Sequence, residues 1–150
     1  MRILLDTNIL LRITPEDPDC PRQRVATESA LIRLVDNLVR PCIATQTLAE
    51  YWNRASRPKD DKGLGMHPDI IRERIDKFCR AHTLLRETET THEIWLSLCS
   101  KYGVVGKTVH DARLVALALS HGIHDILTLN TAHFRRFAEM KTHTPADILA

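Results

Sequence analysis

The chain has 150 residues, a length that fits one domain around one hydrophobic core. Hydrophobic residues make up 43% and charged residues 27%, which is typical of a soluble, globular protein. The net charge of +2 is too small to indicate nucleic-acid binding by itself. No apolar run is long enough to cross a bilayer, and the first one ends in an acid too early for a signal peptide.

The four cysteines are Cys20, Cys42, Cys79 and Cys99. They are far apart and include no Cys-x-x-Cys pair, so the sequence does not predict a zinc site. Cys42 falls in an apolar predicted strand and Cys99 on a predicted helix, which is typical of free, buried thiols. Such thiols favour a reducing compartment, and we expect a cytoplasmic protein.

The first predicted element is a strand over residues 3–5, a continuous apolar run of the kind that is buried on both faces of a sheet. Asp6 ends this run. Thr7 and Asn8 are residue types that begin helices, and residues 9–11 are apolar again. The chain is therefore expected to pass directly from a strand into a helix at Asp6, at the edge where parallel sheets bind ligands.

Helices and strands then alternate along the chain. The longest predicted helix covers residues 21–39, and its apolar positions Val25, Ile32, Val35 and Val39, widened by Leu31, Leu34 and Leu38, are expected to face the core. Trp52 and Trp95 have the helical spacing of core residues, and we interpret both as packing residues. Residues 57–68 contain two prolines, two glycines and mixed charge, a composition that predicts a mobile loop. Further helices are predicted over 45–56, 68–82, 90–102, 108–121 and 131–137, and further strands over 42–44, 83–85, 126–129 and within 140–150.

This alternation predicts the class of fold. Strands that are separated by helices form a parallel sheet that is covered on both faces. We expect a three-layer α/β/α sandwich with a central, mostly parallel sheet of four to five strands. No linker interrupts the chain, so residues 1–150 are expected to form a single domain.

Three acids lie near predicted strand ends, and each has a structural alternative. Asp6 suits a turn as well as a ligand site. Glu50 follows Thr47 by three residues, which is also the spacing of a helix capping box. Asp111 follows Thr108 by the same spacing, although it opens a helix that is apolar almost all round. A carboxylate at the mouth of so apolar a helix is costly without a cation or hydrogen-bond donors, which favours a ligand role.

Asn130 ends the fourth predicted strand, two residues after Thr128. Asn is common in turns, but it also supplies a neutral oxygen ligand. If Asp6, Glu50 and Asp111 meet at one edge of the sheet, their charges repel and a divalent cation relieves the repulsion. Hard oxygen ligands select magnesium or manganese. Such a site suits metal-assisted hydrolysis of phosphate esters.

These residues carry a resemblance to a known family. Four short motifs occur in order along nearly the whole chain, and together they resemble those of the PIN domain family. The motifs are Asp6-Thr7-Asn8, Glu50 after an apolar strand, His110-Asp111-Ala112, and Leu127-Thr128-Leu129-Asn130 followed by His133-Phe134.

The resemblance implies roles for individual residues. Asp6, Glu50 and Asp111 match the metal-binding acids, and Asn130 matches the fourth position of the catalytic set, where the family often has Asp. Asn8 matches the polar residue that supports the first acid, and Thr128 is assigned a supporting role beside it. Lys107 and Arg113 flank Asp111 and are candidates for contact with RNA phosphates.

The resemblance also implies an activity and partners. PIN domains are metal-dependent ribonucleases, so we expect hydrolysis of RNA phosphodiesters with Mg²⁺ or Mn²⁺, leaving a 5′-phosphate and a 3′-hydroxyl. Small members of the VapC type are toxins of type II toxin–antitoxin pairs, which implies an antitoxin partner and a homodimer, with no membrane partner.

Two alternatives remain at this stage. One is a haloacid-dehalogenase-like phosphatase, whose chemistry needs a second acid where this chain has Asn8. The other is a PIN-like module that binds RNA or protein without cleaving it. The acids Asp6, Glu50 and Asp111 argue against this second alternative.

Overall fold

A five-stranded, entirely parallel sheet forms the centre of the computed structural model, which describes residues 1–17 and 21–150. Cys20 lies outside the described residues. The strands are β1 (Arg2–Leu5), β2 (Arg40–Ala44), β3 (Thr83–Leu85), β4 (Asp125–Leu127) and β5 (Lys141–His143). Their order in the sheet is β3-β2-β1-β4-β5, so the chain builds outward from β1 in both directions. The predicted parallel sheet is confirmed, although β4 ends at Leu127 rather than at residue 129.

Seven α-helices connect and cover these strands in the described part of the chain. The stretch that was predicted as a helix over 131–137 contains only a 3₁₀ turn, Thr131–His133. Within residues 1–17 and 21–150, no helix is both long enough and apolar enough to span a lipid bilayer. The helices are α1 (Thr7–Arg12), α2 (Pro21–Asp36), α3 (Thr45–Ser56), α4 (Pro68–Ala81), α5 (Thr91–Lys101), α6 (Thr108–Ser120) and α7 (Pro145–Leu149).

The side chains of β1 point alternately into two hydrophobic layers. Leu4 belongs to the core beneath α5 and α6, whereas Ile3 and Leu5 belong to the core that α1, α2, α3 and α4 cover. All three side chains are at most 1% exposed. A central strand with both faces covered explains why residues 3–5 form a continuous apolar run, and it confirms the three-layer α/β/α class.

The outer surface of α2 corrects one prediction. The helix ends at Asp36 rather than at residue 39, and Leu38 adopts a left-handed φ of 61°. The buried residues of α2 are the small side chains Thr27 and Ala30 together with Leu34. Much of the apolar stripe that was predicted to face the core therefore lies in solvent, with exposed fractions of 62% for Val25, 62% for Ile32, 59% for Val35 and 84% for Leu38.

The segment over residues 57–68 is a loop between α3 and α4, as predicted, and it has defined contacts. It contains a 3₁₀ turn at Lys59–Asp61, and its backbone bonds back to α3 through Met66 N to Ala55 O at 2.8 Å. Met66 is 8% exposed. A Cβ atom on Gly63 would lie 1.9 Å from the carbonyl oxygen of Arg57, so only glycine allows this close approach. The segment is thus held against the end of α3.

Candidate functional site

The candidate site lies where the strand order reverses. β1 pairs with β2 on one side and with β4 on the other, and the carboxyl ends of the strands share one edge. Leu5 is level with Leu127, and the amide of Asp6 donates to Leu127 O at 3.0 Å. This register brings Asp6 beside Thr128. Open α/β sheets bind ligands in the crevice at such a reversal.

Asp6 is the buried centre of the site, with 8% of its surface exposed. It is also the N-cap of α1, where its Oδ1 accepts from Thr7 N at 2.7 Å, and its Oδ2 accepts from Thr128 Oγ1 at 2.7 Å. Burial raises the pKa of the Asp6 carboxyl, the charges of Glu50 and Asp111 raise it further, and the two hydrogen bonds partly oppose this. The three acids are therefore close enough to repel one another.

The hydroxyl of Thr128 connects Asp6 to the end of β4. Its single proton goes to Asp6, and its oxygen accepts from Asn8 Nδ2 at 3.3 Å and from Asn130 N at 3.0 Å. The Oδ1 atom of Asn8 accepts in turn from Leu129 N at 3.1 Å. This network uses the whole hydrogen-bonding capacity of the hydroxyl, so the orientation of the Asp6 carboxylate is fixed.

Glu50 does not form the capping box that its spacing from Thr47 allows. The N-cap of α3 is Ala44, without a side-chain cap, and Thr47 lies inside the helix with no hydrogen-bond partner for its hydroxyl among the described residues. The carboxylate of Glu50 instead accepts from Thr7 Oγ1 at 2.7 Å and from Gln46 Nε2 at 2.8 Å. Glu50 is thus directed toward Asp6 and not toward its own helix start.

Gln46 and Thr7 are site residues that sequence reasoning did not select. The Nε2 atom of Gln46 also donates to His110 O at 2.9 Å, so one amide group joins Glu50 on α3 to the first turn of α6. Gln46 precedes Glu50 by four residues, which is the spacing of neighbouring side chains on a helix. That spacing was the available signal for Gln46, whereas the partner of Thr7 lies 43 residues away in the chain.

Asp111 is the fourth residue of α6 and is half-buried. The N-cap of α6 is Lys107, without a side-chain cap, so the capping box with Thr108 is not formed. Burial raises the pKa of Asp111 and the charge of Glu50 adds to this, while His133 is the strongest of the positive groups that lower it. The surroundings of Asp111, in the first turn of this apolar helix, therefore disfavour its ionised carboxylate.

The remaining predicted residues lie farther out. Asn130 is exposed, and its Nδ2 lies 2.9 Å from His133 Nε2. Lys107 is exposed at the start of α6. Arg113, also exposed, forms an ion pair with Glu87. The structure thus brings Asp6, Glu50, Asp111, Asn8 and Thr128 together, with Asn130 at the rim.

The donor chemistry of the three acids fits a hard divalent cation. None of the ion pairs within residues 1–17 and 21–150 involves Asp6, Glu50 or Asp111. In those residues, no three His, Cys, Asp or Glu side chains are arranged to hold a metal ion as they stand. Asp6 is buried with only neutral hydrogen-bond donors. Carboxylate oxygens are ligands that magnesium and manganese prefer.

The fold defines the class as a three-layer α/β/α protein with an acidic crevice at the sheet reversal. The PIN domain model matches residues 3–140, and the chain belongs to the PIN domain family. The resemblance that the four motifs carry is thereby confirmed. A haloacid-dehalogenase-like phosphatase needs a second acid where this chain has Asn8. The amide group of Asn8 bonds instead to Thr128 and Leu129, just after β4, so the phosphatase alternative has no support.

Solved structures of the same fold cover almost the whole chain. VapBC2 from Rickettsia felis, bound to a DNA fragment from its promoter, has a TM-score of 0.70 at 18% identity, covering 96% of this chain and 98% of that one. VapBC-1 from nontypeable Haemophilus influenzae has a TM-score of 0.68 at 19% identity, covering 97% and 99%. A toxin–antitoxin complex from Klebsiella pneumoniae has a TM-score of 0.61 at 19% identity, covering 95% and 97%. A comparison with curated proteins finds no match.

Proposed function

We propose that the chain is a metal-dependent endoribonuclease and the toxin of a type II toxin–antitoxin pair. The observation that carries the proposal is the convergence of three acids: Thr7 bonds to both Asp6 and Glu50, and Gln46 bonds to both Glu50 and the carbonyl of His110, the residue before Asp111. The charges of Glu50 and Asp111 also raise the pKa of Asp6. Folding tolerates such repulsion poorly unless a ligand offsets it. A divalent cation with an RNA phosphate is the ligand that matches this chemistry and the family.

The residues have separate roles in the proposed reaction. Asp6, Glu50 and Asp111 would hold Mg²⁺ or Mn²⁺, which supplies a Lewis acid that activates water and stabilises charge on the phosphate. Thr128 and Asn8 orient Asp6, and Thr7 orients Glu50. Asn130 offers a neutral oxygen at the rim. Lys107 and Arg113 are exposed near Asp111 and would contact neighbouring phosphates.

Cleavage of single-stranded RNA by the purified protein tests the chemistry. We expect cleavage with Mn²⁺ or Mg²⁺, no cleavage with a chelator, and products with a 5′-phosphate and a 3′-hydroxyl. Asp6→Asn and Asp111→Asn should each lower the rate at least a hundredfold, because each removes a ligand charge.

The matched control is Asp125→Asn. Asp125 is the first residue of β4, and its carboxylate bonds to the side chain of His143 at 2.7 Å and not to the three acids. This variant should cut at the parental rate. Equal activity of Asp6→Asn and the parent protein would show that a contaminant cuts the RNA, or that the reaction takes place at another site.

An antitoxin and a second copy are the proposed protein partners. The toxin–antitoxin complex from Klebsiella pneumoniae shares the fold, and this likeness supports the partner assignment. Expression of the chain alone should arrest growth, and co-expression of its neighbouring small gene should restore growth and yield a complex that co-purifies. If the purified protein cuts RNA but its expression does not affect growth, the protein is a ribonuclease that is not a toxin.

Localisation and domain organisation follow from this proposal. The substrate is cellular RNA, and Cys42, Cys79 and Cys99 are free thiols, both of which favour the reducing cytoplasm. We further propose that residues 1–150 form one domain, because the central sheet uses strands from residue 2 to residue 143. Cooperative, single-step thermal unfolding would support this.

A further inference from the structure

We propose that a cleft between α5 and the first turn of α6, which we call the α5–α6 cleft, binds one nucleobase of the RNA substrate beside the scissile phosphate. The inference rests on the proposed ribonuclease function and names a substrate subsite for it. The cleft has a volume of about 510 Å³ and is lined by residues that include Glu87, His92, Trp95, Val109, His110 and Arg113. This volume lies within the usual range of small-ligand sites.

The cleft adjoins the acidic crevice through His110. His110 lines the cleft and directly precedes Asp111 in the chain. The His110 carbonyl also accepts a hydrogen bond from Gln46, whose amide donates to Glu50 as well. An RNA strand with a phosphate at the acids therefore has its neighbouring nucleotide within reach of the cleft.

Trp95 provides a stacking surface with a fixed orientation. Its indole Nε1 donates to Val109 O at 3.1 Å, so the ring is tied to the start of α6 while it remains half-buried. The His92 ring lies 5.8 Å away at a tilt of 44°. Trp95 was interpreted from sequence as a packing residue, and it does contact the core layer. Its position in the cleft gives Trp95 a second role in base stacking, because proteins that bind single-stranded nucleic acids stack the bases on aromatic side chains.

The charges at the rim favour a nucleotide over an apolar peptide. Arg113 and Glu87 form an ion pair in which both side chains are about half exposed, at 50% and 51%. Exposed pairs of this kind contribute little to stability, so Arg113 can exchange Glu87 for an RNA phosphate at low cost. The exposed imidazoles of His92 and His110 add further hydrogen-bonding groups around the apolar floor.

Binding without cleavage tests the cleft separately from the chemistry. A fluorescein-labelled, eight-nucleotide single-stranded RNA is titrated in Ca²⁺, and its anisotropy is followed for the parent and for Trp95→Leu, Trp95→Phe and Trp52→Leu. Trp52 is the matched control because it is the second tryptophan and is 38% exposed on α3. That exposure also corrects its interpretation as a packing residue.

We expect Trp95→Leu to weaken binding about tenfold, since stacking on one base is worth roughly 1–3 kcal/mol. Trp95→Phe should retain part of the affinity, and Trp52→Leu should stay within about twofold of the parent. In a Trp52→Phe background, RNA should quench the fluorescence of Trp95. This last measurement needs no destabilising change in the cleft, so it holds even if Trp95→Leu folds poorly.

Equal RNA affinities for the Trp95 and Trp52 variants, or unquenched Trp95 fluorescence at saturating RNA, would overturn the inference and leave the cleft to a protein partner. The absence of any RNA binding would also overturn it. If Trp95 is quenched but no RNA is cut with Mn²⁺, the subsite stands and the proposed chemistry fails. If RNA is cut but the Trp95 variants bind RNA as tightly as the parent protein, the proposed chemistry stands and the subsite fails.

Discussion

Thr7 holds Glu50: the Thr7 hydroxyl donates a 2.7 Å hydrogen bond to Glu50 Oε2. Thr7, which directly follows the buried Asp6, thereby fixes the carboxylate of Glu50 on α3, and Asp6 accepts from the Thr7 amide. Thr7 contacts two of the three carboxylates, through its backbone and its side chain. Thr7 therefore links those two carboxylates directly, and it is 7% exposed.

Thr7→Val should lower the rate of RNA cleavage about tenfold and destabilise the fold by roughly 1 kcal/mol, the usual worth of a hydrogen bond. Cleavage rates and thermal melts check both effects. Thr14→Val is the control, because Thr14 is buried and its hydroxyl lies 2.7 Å from the Tyr51 hydroxyl, away from the acids. It should destabilise similarly and leave the rate unchanged. Parallel losses of activity in both variants would mean that Thr7 acts through stability alone.

Gln46 is expected to position Glu50, because its amide donates hydrogen bonds to both Glu50 Oε1 and His110 O. Gln46→Met keeps the shape but removes the donors, and supporting contacts of this kind typically change metal affinity or activity 10–100-fold. Gln46→Glu should be worse, because it places a fourth carboxylate beside Glu50. The Mn²⁺ concentration that gives half-maximal cleavage measures the effect. A Glu variant as active as the Met variant would contradict this role.

Metal binding should be visible in thermal stability. Burial and the charges of Glu50 and Asp111 raise the pKa of Asp6, so the folded state disfavours its ionised carboxylate and a bound Mn²⁺ would offset that cost. At about a hundred times the dissociation constant, binding adds about 2.7 kcal/mol, which corresponds to about 5–10 °C for this length. Asp6→Asn should lose this shift and Asp125→Asn should keep it. Equal shifts in the parent and in Asp6→Asn would place the ion elsewhere.

Glu16 and Arg74 should give the fold part of its acid sensitivity. Arg74 donates to Glu16 through Nε at 3.1 Å and through a second nitrogen, and this contact lowers the pKa of Glu16. A lowered acid pKa stabilises the fold above the ordinary pKa, and the benefit is lost as the pH falls through the lowered value. Glu16→Gln should cost roughly 1 kcal/mol at pH 7, a charge-assisted bond discounted for partial exposure.

Thermal melts at about pH 7 and about pH 2.5 check this, and parent and variant should converge at the lower pH. Glu28→Gln is the control, since Glu28 forms an exposed pair with Arg24 one helical turn away. Such pairs contribute about 0.3–0.5 kcal/mol. A Glu16→Gln effect that persists at the lower pH would assign the loss to packing rather than to charge.

The exposed stripe on α2 is a test of the expected homodimer. Ile32 and Val35 are 62% and 59% exposed, and a second copy would cover apolar surface of this kind. Ile32→Glu should then convert a dimer into a monomer in light scattering after gel filtration. Arg33→Glu, in the same helix, supplies the charge control. A dimer that survives Ile32→Glu would exclude α2 as the contact surface.

The pattern of apolar residues in the sequence predicted the fold well where an element is buried on all sides. The apolar run of residues 3–5 predicted a central strand because both of its faces are covered. The same signal failed on α2, where apolar residues occur on more than one face and packing selected Thr27 and Ala30. Local patterns do not encode which face meets the sheet.

The candidate site was predictable in its acids but not in their connections. Asp6, Glu50 and Asp111 each follow a recognisable local pattern, and parallel strands bring their ends to one edge. The spacings of Thr47 with Glu50 and of Thr108 with Asp111 favoured capping boxes that the structure does not form. Thr7 was missed because its partner is distant in the chain, a relationship that only the folded sheet creates.

The bond between Thr128 and Asp6 joins residues 122 positions apart, and β1 is flanked on one side by a strand that begins only at Asp125. During synthesis Asp6 therefore emerges from the ribosome well before β4, the strand that precedes Thr128. A nascent chain that lacks β4 has no assembled crevice. The crevice is therefore completed only after β4 has been synthesised and has paired with β1, long after Asp6 itself has emerged.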